Sequence, residues 1–144
     1  MLQEIACLIS EPGSKQQPLH PDTPYTPIPP LYACFVALQD VTIEMGPTLY
    51  LPGTHTAEAH TEFYGGDLAR GRDTSGIRTP PIPEHFLKSC KVEYALLKAG
   101  DCALYNQQVL HCGSANESED SIRRQFYISM RNAASKVKAR ASIR

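Results

Sequence analysis

No stretch of this 144-residue chain sustains the 3.6-residue apolar period of an amphipathic helix, and twelve prolines and nine glycines cut it into short pieces. That punctuation excludes a helical bundle and leaves short strands joined by turns. Residues 31–41 (LYACFVALQDV) are the clearest buried strand, and a turn at 44–47 (EMGP) leads into a second at 48–51. Residues 2–9 form a short apolar stretch that suits a strand, although its period alone does not exclude a helix. Residues 91–97 and 101–105 read as strands around the Ala99-Gly100 connection. Residues 23–30 (TPYTPIPP) cannot be helical and read as an extended, partly polyproline connection. The expected class is mainly β, a sandwich or barrel, and a jelly roll fits best.

The length suits one domain. We expect residues 1–133 to form it, with 56–90 as an irregular lid or insert because that segment lacks periodicity and carries Gly65-Gly66, Gly71, Pro80, Pro81 and Pro83. Residues 134–144 read as a basic, polar, solvated tail. A formal net charge of −1 gives no whole-chain field toward nucleic acid or an anionic membrane. No apolar run approaches the length of a membrane span. Glu4 and the lack of a basic leader argue against a secretory signal. Cys7, Cys34, Cys90, Cys102 and Cys112 are an odd set without C-x-x-C pairs, which reads as reduced, intracellular thiols and a cytoplasmic protein.

The residues that carry chemistry begin at His20-Pro21-Asp22. In extended chain, residues i and i+2 share a face, so His20 and Asp22 can aim an imidazole and a carboxylate at one point. Pro21 has no backbone donor, which places this run at a sheet edge or strand end. A second imidazole from a distant strand would complete two His and one carboxylate, the facial set that holds non-haem Fe(II) with positions left open. His111 ends an apolar strand and precedes an arginine-bearing one, so it is favoured over His55, which follows a turn. His60 and His85 lie in the irregular segment, where an exposed histidine is the default. Cys112, beside His111, points to the opposite strand face and so should not share its metal.

Residues 122–130 alternate. Ile122, Arg124, Phe126, Ile128 and Met130 fall on one face; Arg123, Gln125, Tyr127 and Ser129 fall on the other. The polar face is the better lining for a cofactor site, so Arg123 is preferred to Arg124 as the planar clamp for the distal carboxylate of a bidentate acid such as 2-oxoglutarate. A surface ion pair is the alternative use of either arginine.

Together these residues resemble the phytanoyl-CoA dioxygenase family of Fe(II)- and 2-oxoglutarate-dependent oxygenases, built on a double-stranded β-helix. The resemblance runs through Ser10-Glu-Pro-Gly-Ser14, Gln17-Pro-Leu-His-Pro-Asp22, Ala37-Leu-Gln-Asp-Val41, Gly46-Pro-Thr-Leu-Tyr-Leu-Pro-Gly-Thr-His55 and Ala99-Gly-Asp101, and ends with His111-Cys-Gly-Ser-Ala-Asn116 leading to Arg123. It implies His20, Asp22 and His111 as iron ligands and Arg123 as the partner of the 2-oxoglutarate C5 carboxylate. It also implies Ser114, after the distal histidine, as a neighbour of the same cosubstrate. Phe35 lies where the family often has an aromatic lining the site, and equally reads as core on a buried strand. Asn116 resembles a recurrent structural turn position.

The implied reaction consumes O₂ and 2-oxoglutarate, with ascorbate as activator, releases succinate and CO₂, and hydroxylates a C–H bond of a small molecule. In related halogenases a small residue replaces the carboxylate ligand; Asp22 therefore points to hydroxylation. Substrate choice is expected to lie in 23–30 and 56–90, and oligomeric state is left open. Family members usually carry helices and a strand ahead of the H-x-D run, whereas about twenty residues precede it here. The chain, expected to lack the usual N-terminal helical part, reads as a minimal member, a truncated gene model or a fragment that folds poorly alone. Two other readings stand beside the oxygenase: a non-catalytic jelly-roll binding or scaffold domain, and a cupin-like metalloenzyme without 2-oxoglutarate, which gives Arg123 no role.

Overall fold

The computed structural model describes residues 1–65 and 84–136. Nine elements follow in order: β1 (Leu2–Ser10), β2 (Leu31–Ala37), β3 (Thr48–Tyr50), α1 (Ala57–Phe63), α2 (Glu84–Ser89), β4 (Glu93–Tyr94), β5 (Cys102–Asn106), β6 (His111–Gly113) and β7 (Arg123–Arg131). The strands form two antiparallel sheets, ordered β1-β7-β2-β5 and β4-β3-β6. Tyr50 of the smaller sheet packs on Tyr105 of the larger, ring centroids 5.0 Å apart, so the sheets close face to face as a double-stranded β-helix, or jelly roll.

The β2–β7 register pairs Phe35 with Tyr127 and Ala33 with Ser129, and β5 brings Tyr105 opposite Ala33. One core cluster therefore contains Ala33, Phe35, Tyr105 and Tyr127 between the sheets, while a second gathers Leu51, Phe63, Phe86 and Leu110 under the helices. The alternation of β7 turns out unusually. Its polar set, Arg123, Gln125, Tyr127 and Ser129, is the buried one, and Arg124 is exposed. The outer face of the larger sheet is correspondingly apolar, with Ile5, Ile9 and Leu104 each more than half exposed.

Three expectations need correction. Residues 56–90 are not wholly irregular. They include α1, whose start is fixed by the Thr56 hydroxyl accepting from Ala59 N–H at 3.2 Å, and α2, which buries Phe86. Their seven and six residues are too short to show a period. Residues 66–83 of the expected lid, and 137–144 of the expected tail, lie outside the described residues. The strand expected at 91–97 contracts to Glu93–Tyr94, because the chain then folds back with Leu96 N–H donating to the Tyr94 carbonyl. The strand expected over 31–41 stops at Ala37; beyond it Asp40 turns to bond Lys98 and the Ala99 N–H.

Candidate metal centre

The His-Pro-Asp run is held by the main chain at both ends. His20 and His111 exchange backbone hydrogen bonds of 3.0 and 2.9 Å across an isolated antiparallel bridge. Two residues on, the Gln107 carbonyl accepts from the N–H groups of Asp22 and Thr23. Pro21 sits between these anchors, where no backbone donor is required.

This clip brings three potential metal-ligating atoms together. The Nε2 atoms of His20 and His111 stand 3.7 and 3.5 Å from the same carboxylate oxygen, Asp22 Oδ1. The three candidate ligand atoms all lie within 4.8 Å of one another, and Cys112 is not among them. Each imidazole is also oriented from behind by the carbonyl two residues before it: Pro18 O lies 2.7 Å from His20 Nδ1, and Val109 O lies 2.9 Å from His111 Nδ1. A carbonyl only accepts, so each Nδ1 carries the proton and each Nε2 offers a lone pair inward.

The electrostatics fit a cation. Burial raises the pKa of Asp22, but the His111 and His20 imidazoles and the Tyr105 hydroxyl outweigh it and hold the carboxyl below its ordinary value. Burial lowers the pKa of His111 and the Asp22 carboxylate reverses this, raising it overall. His20, half-buried beside His111, is lowered. Two neutral imidazoles and one carboxylate on an open-sided cluster are the donor set of non-haem Fe(II), and the geometry accommodates it.

Arg123 lies on the inner face of β7 and is buried, with a guanidinium N–H donating to the Gly46 carbonyl. Burial lowers its pKa. No carboxylate among the described residues lies within ion-pair range, so a buried cation is left with a neutral acceptor alone. Two glycines make room for it. A Cβ on Gly113 would lie 3.5 Å from an Arg123 terminal nitrogen and 3.0 Å from Gln17 Oε1. Gly46, at φ +70°, packs against the Ser114 and Ala115 carbonyls. The Ser114 carbonyl is thereby placed against Gly46, whose own carbonyl accepts from Arg123. Arg124 instead faces outward, with Gln39 Oε1 at 3.4 Å.

Phe35 stacks on Tyr105 and tilts against Tyr127, so it reaches the metal cluster through Tyr105. His60, expected to be exposed, is fully buried on α1 with its Nε2 donating to the Gln108 carbonyl at 2.7 Å. A histidine on the inner side of a helix too short to recognise in sequence is the reason. His85 pairs with Glu62 on the surface at 2.9 Å, and His55 is exposed. Neither joins the cluster.

Four residues of the site went unrecognised in the sequence. Tyr105 donates to Asp22 Oδ2 at 3.0 Å and stands 3.4 Å from His111 Nε2. Burial and the Asp22 charge push its pKa well up, so it remains a neutral donor. Tyr50 stacks on His111, and its buried hydroxyl feels both Asp22 and Arg123. Its ring therefore links the two ends of the site. Gln17 Oε1 accepts from Gly113 N–H at 2.8 Å. Gln107 anchors Asp22 through its carbonyl while its side chain donates to Tyr127 and Ser129. The usable signal was positional, since Tyr105 lies on the inner face of a strand six residues before His111.

The arrangement has counterparts. The Aspergillus aculeatus protein named dioxygenase aneA is 30% identical over 122 residues, 78% of this chain and 34% of that protein. The carbocyclase SnoK of nogalamycin biosynthesis, described as non-haem and α-ketoglutarate-dependent, superposes with a TM-score of 0.66 at 23% identity, covering 92% of this chain and 49% of its own. The epimerase SnoN, solved with Fe³⁺, α-ketoglutarate and nogalamycin RO, gives 0.65 at 21% identity, with coverages of 90% and 49%. The chain thus spans about a third of the length of the curated relatives it matches. The family model for phytanoyl-CoA dioxygenase (PhyH) matches residues 2–125, a span that contains His20, Asp22, Phe35, His111, Ser114 and Arg123 alike. A match over so much of the chain settles its lineage: it belongs to the phytanoyl-CoA dioxygenase family.

Proposed function

We propose that this chain carries the catalytic centre of an Fe(II)- and 2-oxoglutarate-dependent dioxygenase that hydroxylates a C–H bond of a small molecule. The single observation that carries this reading is the pairing of the His20/Asp22/His111 cluster with a buried, carboxylate-free Arg123 linked to it through Tyr50. His20, Asp22 and His111 hold the iron. Arg123 binds the distal carboxylate of 2-oxoglutarate, with Ser114 beside it and Phe35 forming the wall behind Tyr105. Iron and 2-oxoglutarate, when bound, supply the oxidising power: O₂ is consumed, one oxygen atom leaves in succinate as CO₂ is released, and the other enters the substrate as hydroxyl.

The protein's own part is placement. The backbone clip fixes two ligands before metal arrives, and the two Nδ1–H···O=C bonds hold both rings in the metal-accepting tautomer. The 25–29 and 56–58 segments, within the regions assigned to substrate choice, border one cavity of about 400 Å³ with His55 and Gln108 in its wall. We assign that cavity to part of the substrate. No described helix is long and apolar enough to cross a membrane. The five unpaired cysteines favour a reducing compartment, and we place the protein in the cytoplasm.

The test is succinate release from 2-oxoglutarate with Fe(II), O₂ and ascorbate, together with 2-oxoglutarate binding by Arg123→Ala. Iron-dependent succinate and loss of binding in the variant are expected. Absence of both would leave a non-catalytic jelly-roll domain.

A further inference from the structure

The two oxygens of Asp22 have different neighbours. Oδ1 faces both histidines, at 3.7 Å from His20 Nε2 and 3.5 Å from His111 Nε2. Oδ2 accepts the Tyr105 hydroxyl at 3.0 Å. Tyr105 is tightly held: its ring packs against Phe35 at 5.7 Å, Tyr50 at 5.0 Å and His111 at 4.9 Å, and it is 9% exposed. A phenol fixed on three sides cannot follow a carboxylate that swings, so its hydrogen bond sets the orientation of Asp22.

We propose that Tyr105 is a positioning residue that keeps Asp22 a one-oxygen ligand, with Oδ1 turned to the metal and Oδ2 held away from it. The inference rests on the proposed iron site and adds a reason why that site stays open. A carboxylate that binds through both oxygens fills two positions of an octahedral ion. Two histidines and a two-oxygen Asp22 would leave only two positions, both needed by 2-oxoglutarate, and none for O₂. Bound through one oxygen, Asp22 leaves three. The Tyr105 hydroxyl thus protects the third position by occupying the competing oxygen. Partners at this distance from a metal commonly alter affinity by about 10–100-fold when removed.

Tyr105→Phe deletes the hydroxyl and keeps the ring. Tyr64→Phe removes a partly buried hydroxyl from the second core cluster, bonded to neither Asp22 nor Gln107, and serves as the control for loss of a tyrosine hydroxyl. The full chain, metal-free, is titrated with Co(II), and then with Fe(II) and 2-oxoglutarate without oxygen. The readouts are the Co(II) dissociation constant and visible spectrum, and the charge-transfer absorption of Fe(II) with 2-oxoglutarate. Tyr105→Phe should shift the Co(II) constant by about 10-fold or more, change its spectrum and weaken the charge-transfer band, while Tyr64→Phe leaves all three as in the native protein. Unchanged spectra and affinity in Tyr105→Phe would overturn the proposal. So would a crystal structure of the native protein with Mn(II) in which both Asp22 oxygens coordinate, a result independent of any variant's folding. A native chain that binds neither Co(II) nor Fe(II) would instead refute the iron site itself.

Discussion

His20 and His111 are joined through their own main chains, each donating its N–H to the other's carbonyl, at 3.0 and 2.9 Å. Two of the three proposed iron ligands, 91 positions apart in sequence, are therefore held at a fixed separation by peptide groups rather than by the ion. The site is built before it is filled. Chelation should consequently leave the far-ultraviolet circular dichroism unchanged and lower the melting temperature only by the linkage of metal binding, about 2.7 kcal/mol at a hundredfold excess of metal over its Kd. His20→Ala, which removes a partly exposed ring and keeps the bridge, should abolish metal binding with less than about 1 kcal/mol of apoprotein destabilisation. A melt or dichroism spectrum collapsing on chelation would show that the ion, not the bridge, organises this end of the fold.

Arg123 offers a separation of charge from shape. Its guanidinium is buried with a carbonyl acceptor and no carboxylate among the described residues, so the free protein bears a cost that an incoming dicarboxylate relieves. Arg123→Ala should weaken 2-oxoglutarate binding by about 2–5 kcal/mol, and Arg123→Lys should recover only part of this because the ammonium cannot form the two-pronged contact. Arg124→Ala, on the outer face, should change nothing. Calorimetric titration of 2-oxoglutarate into the metal-loaded variants separates the two arginines.

What the sequence revealed follows the range of its signals. The period-two alternation over 122–130 put Arg123 and Arg124 on opposite faces, as they are in β7, because a strand's geometry is local. It could not say which face is buried, and the apolar face proved to be the outer one. That outcome depends on what packs against the sheet. The three groups of the candidate cluster were legible because H-x-D spacing has a geometric meaning and because His111 ends an apolar strand ahead of an arginine-bearing one. Tyr105 was not, because a tyrosine on an inward strand position reads as core; its partner is 83 residues away, and the His20–His111 bridge and the Asp22 bond to the Gln107 carbonyl bring them together. The short helices escaped for want of length, although Thr56 before Ala57-Glu58 was a readable cap.

Gly46 ties stability to cosubstrate binding. At φ +70° it adopts a backbone conformation disfavoured for other residues, and a Cβ there would lie 2.3 Å from the Ala115 carbonyl oxygen. Its own carbonyl accepts the Arg123 guanidinium. Gly46→Ala must therefore displace the 114–115 backbone and move the acceptor that holds Arg123. We expect a loss of more than about 2 kcal/mol in denaturant unfolding, accompanied by weaker 2-oxoglutarate binding. A variant that unfolds earlier yet binds 2-oxoglutarate normally would show that Arg123 is placed independently of Gly46.

His60 makes the fold sensitive to acid at a point remote from the proposed ligands. It is fully buried, its Nε2–H donates to the Gln108 carbonyl, and its Nδ1 has no partner among the described residues. Protonation would place a charge in the interior and create a second N–H with nothing to accept it. Burial accordingly lowers its pKa, a shift opposed by the Gln108 bond and reinforced by His55. The sign follows from linkage. Above the unfolded value of about 6.5 both states hold a neutral ring and stability is complete; as pH falls below it, the unfolded chain takes up the proton first and stability declines until the lowered native pKa is passed. The slope from this one group is at most about 1.4 kcal/mol per pH unit. Urea unfolding of the metal-free protein between pH 7.5 and about 5 should show this loss, and His60→Gln, though less stable at pH 7.5, should show a shallower decline. Equal slopes in the two proteins would assign the acid sensitivity to other groups.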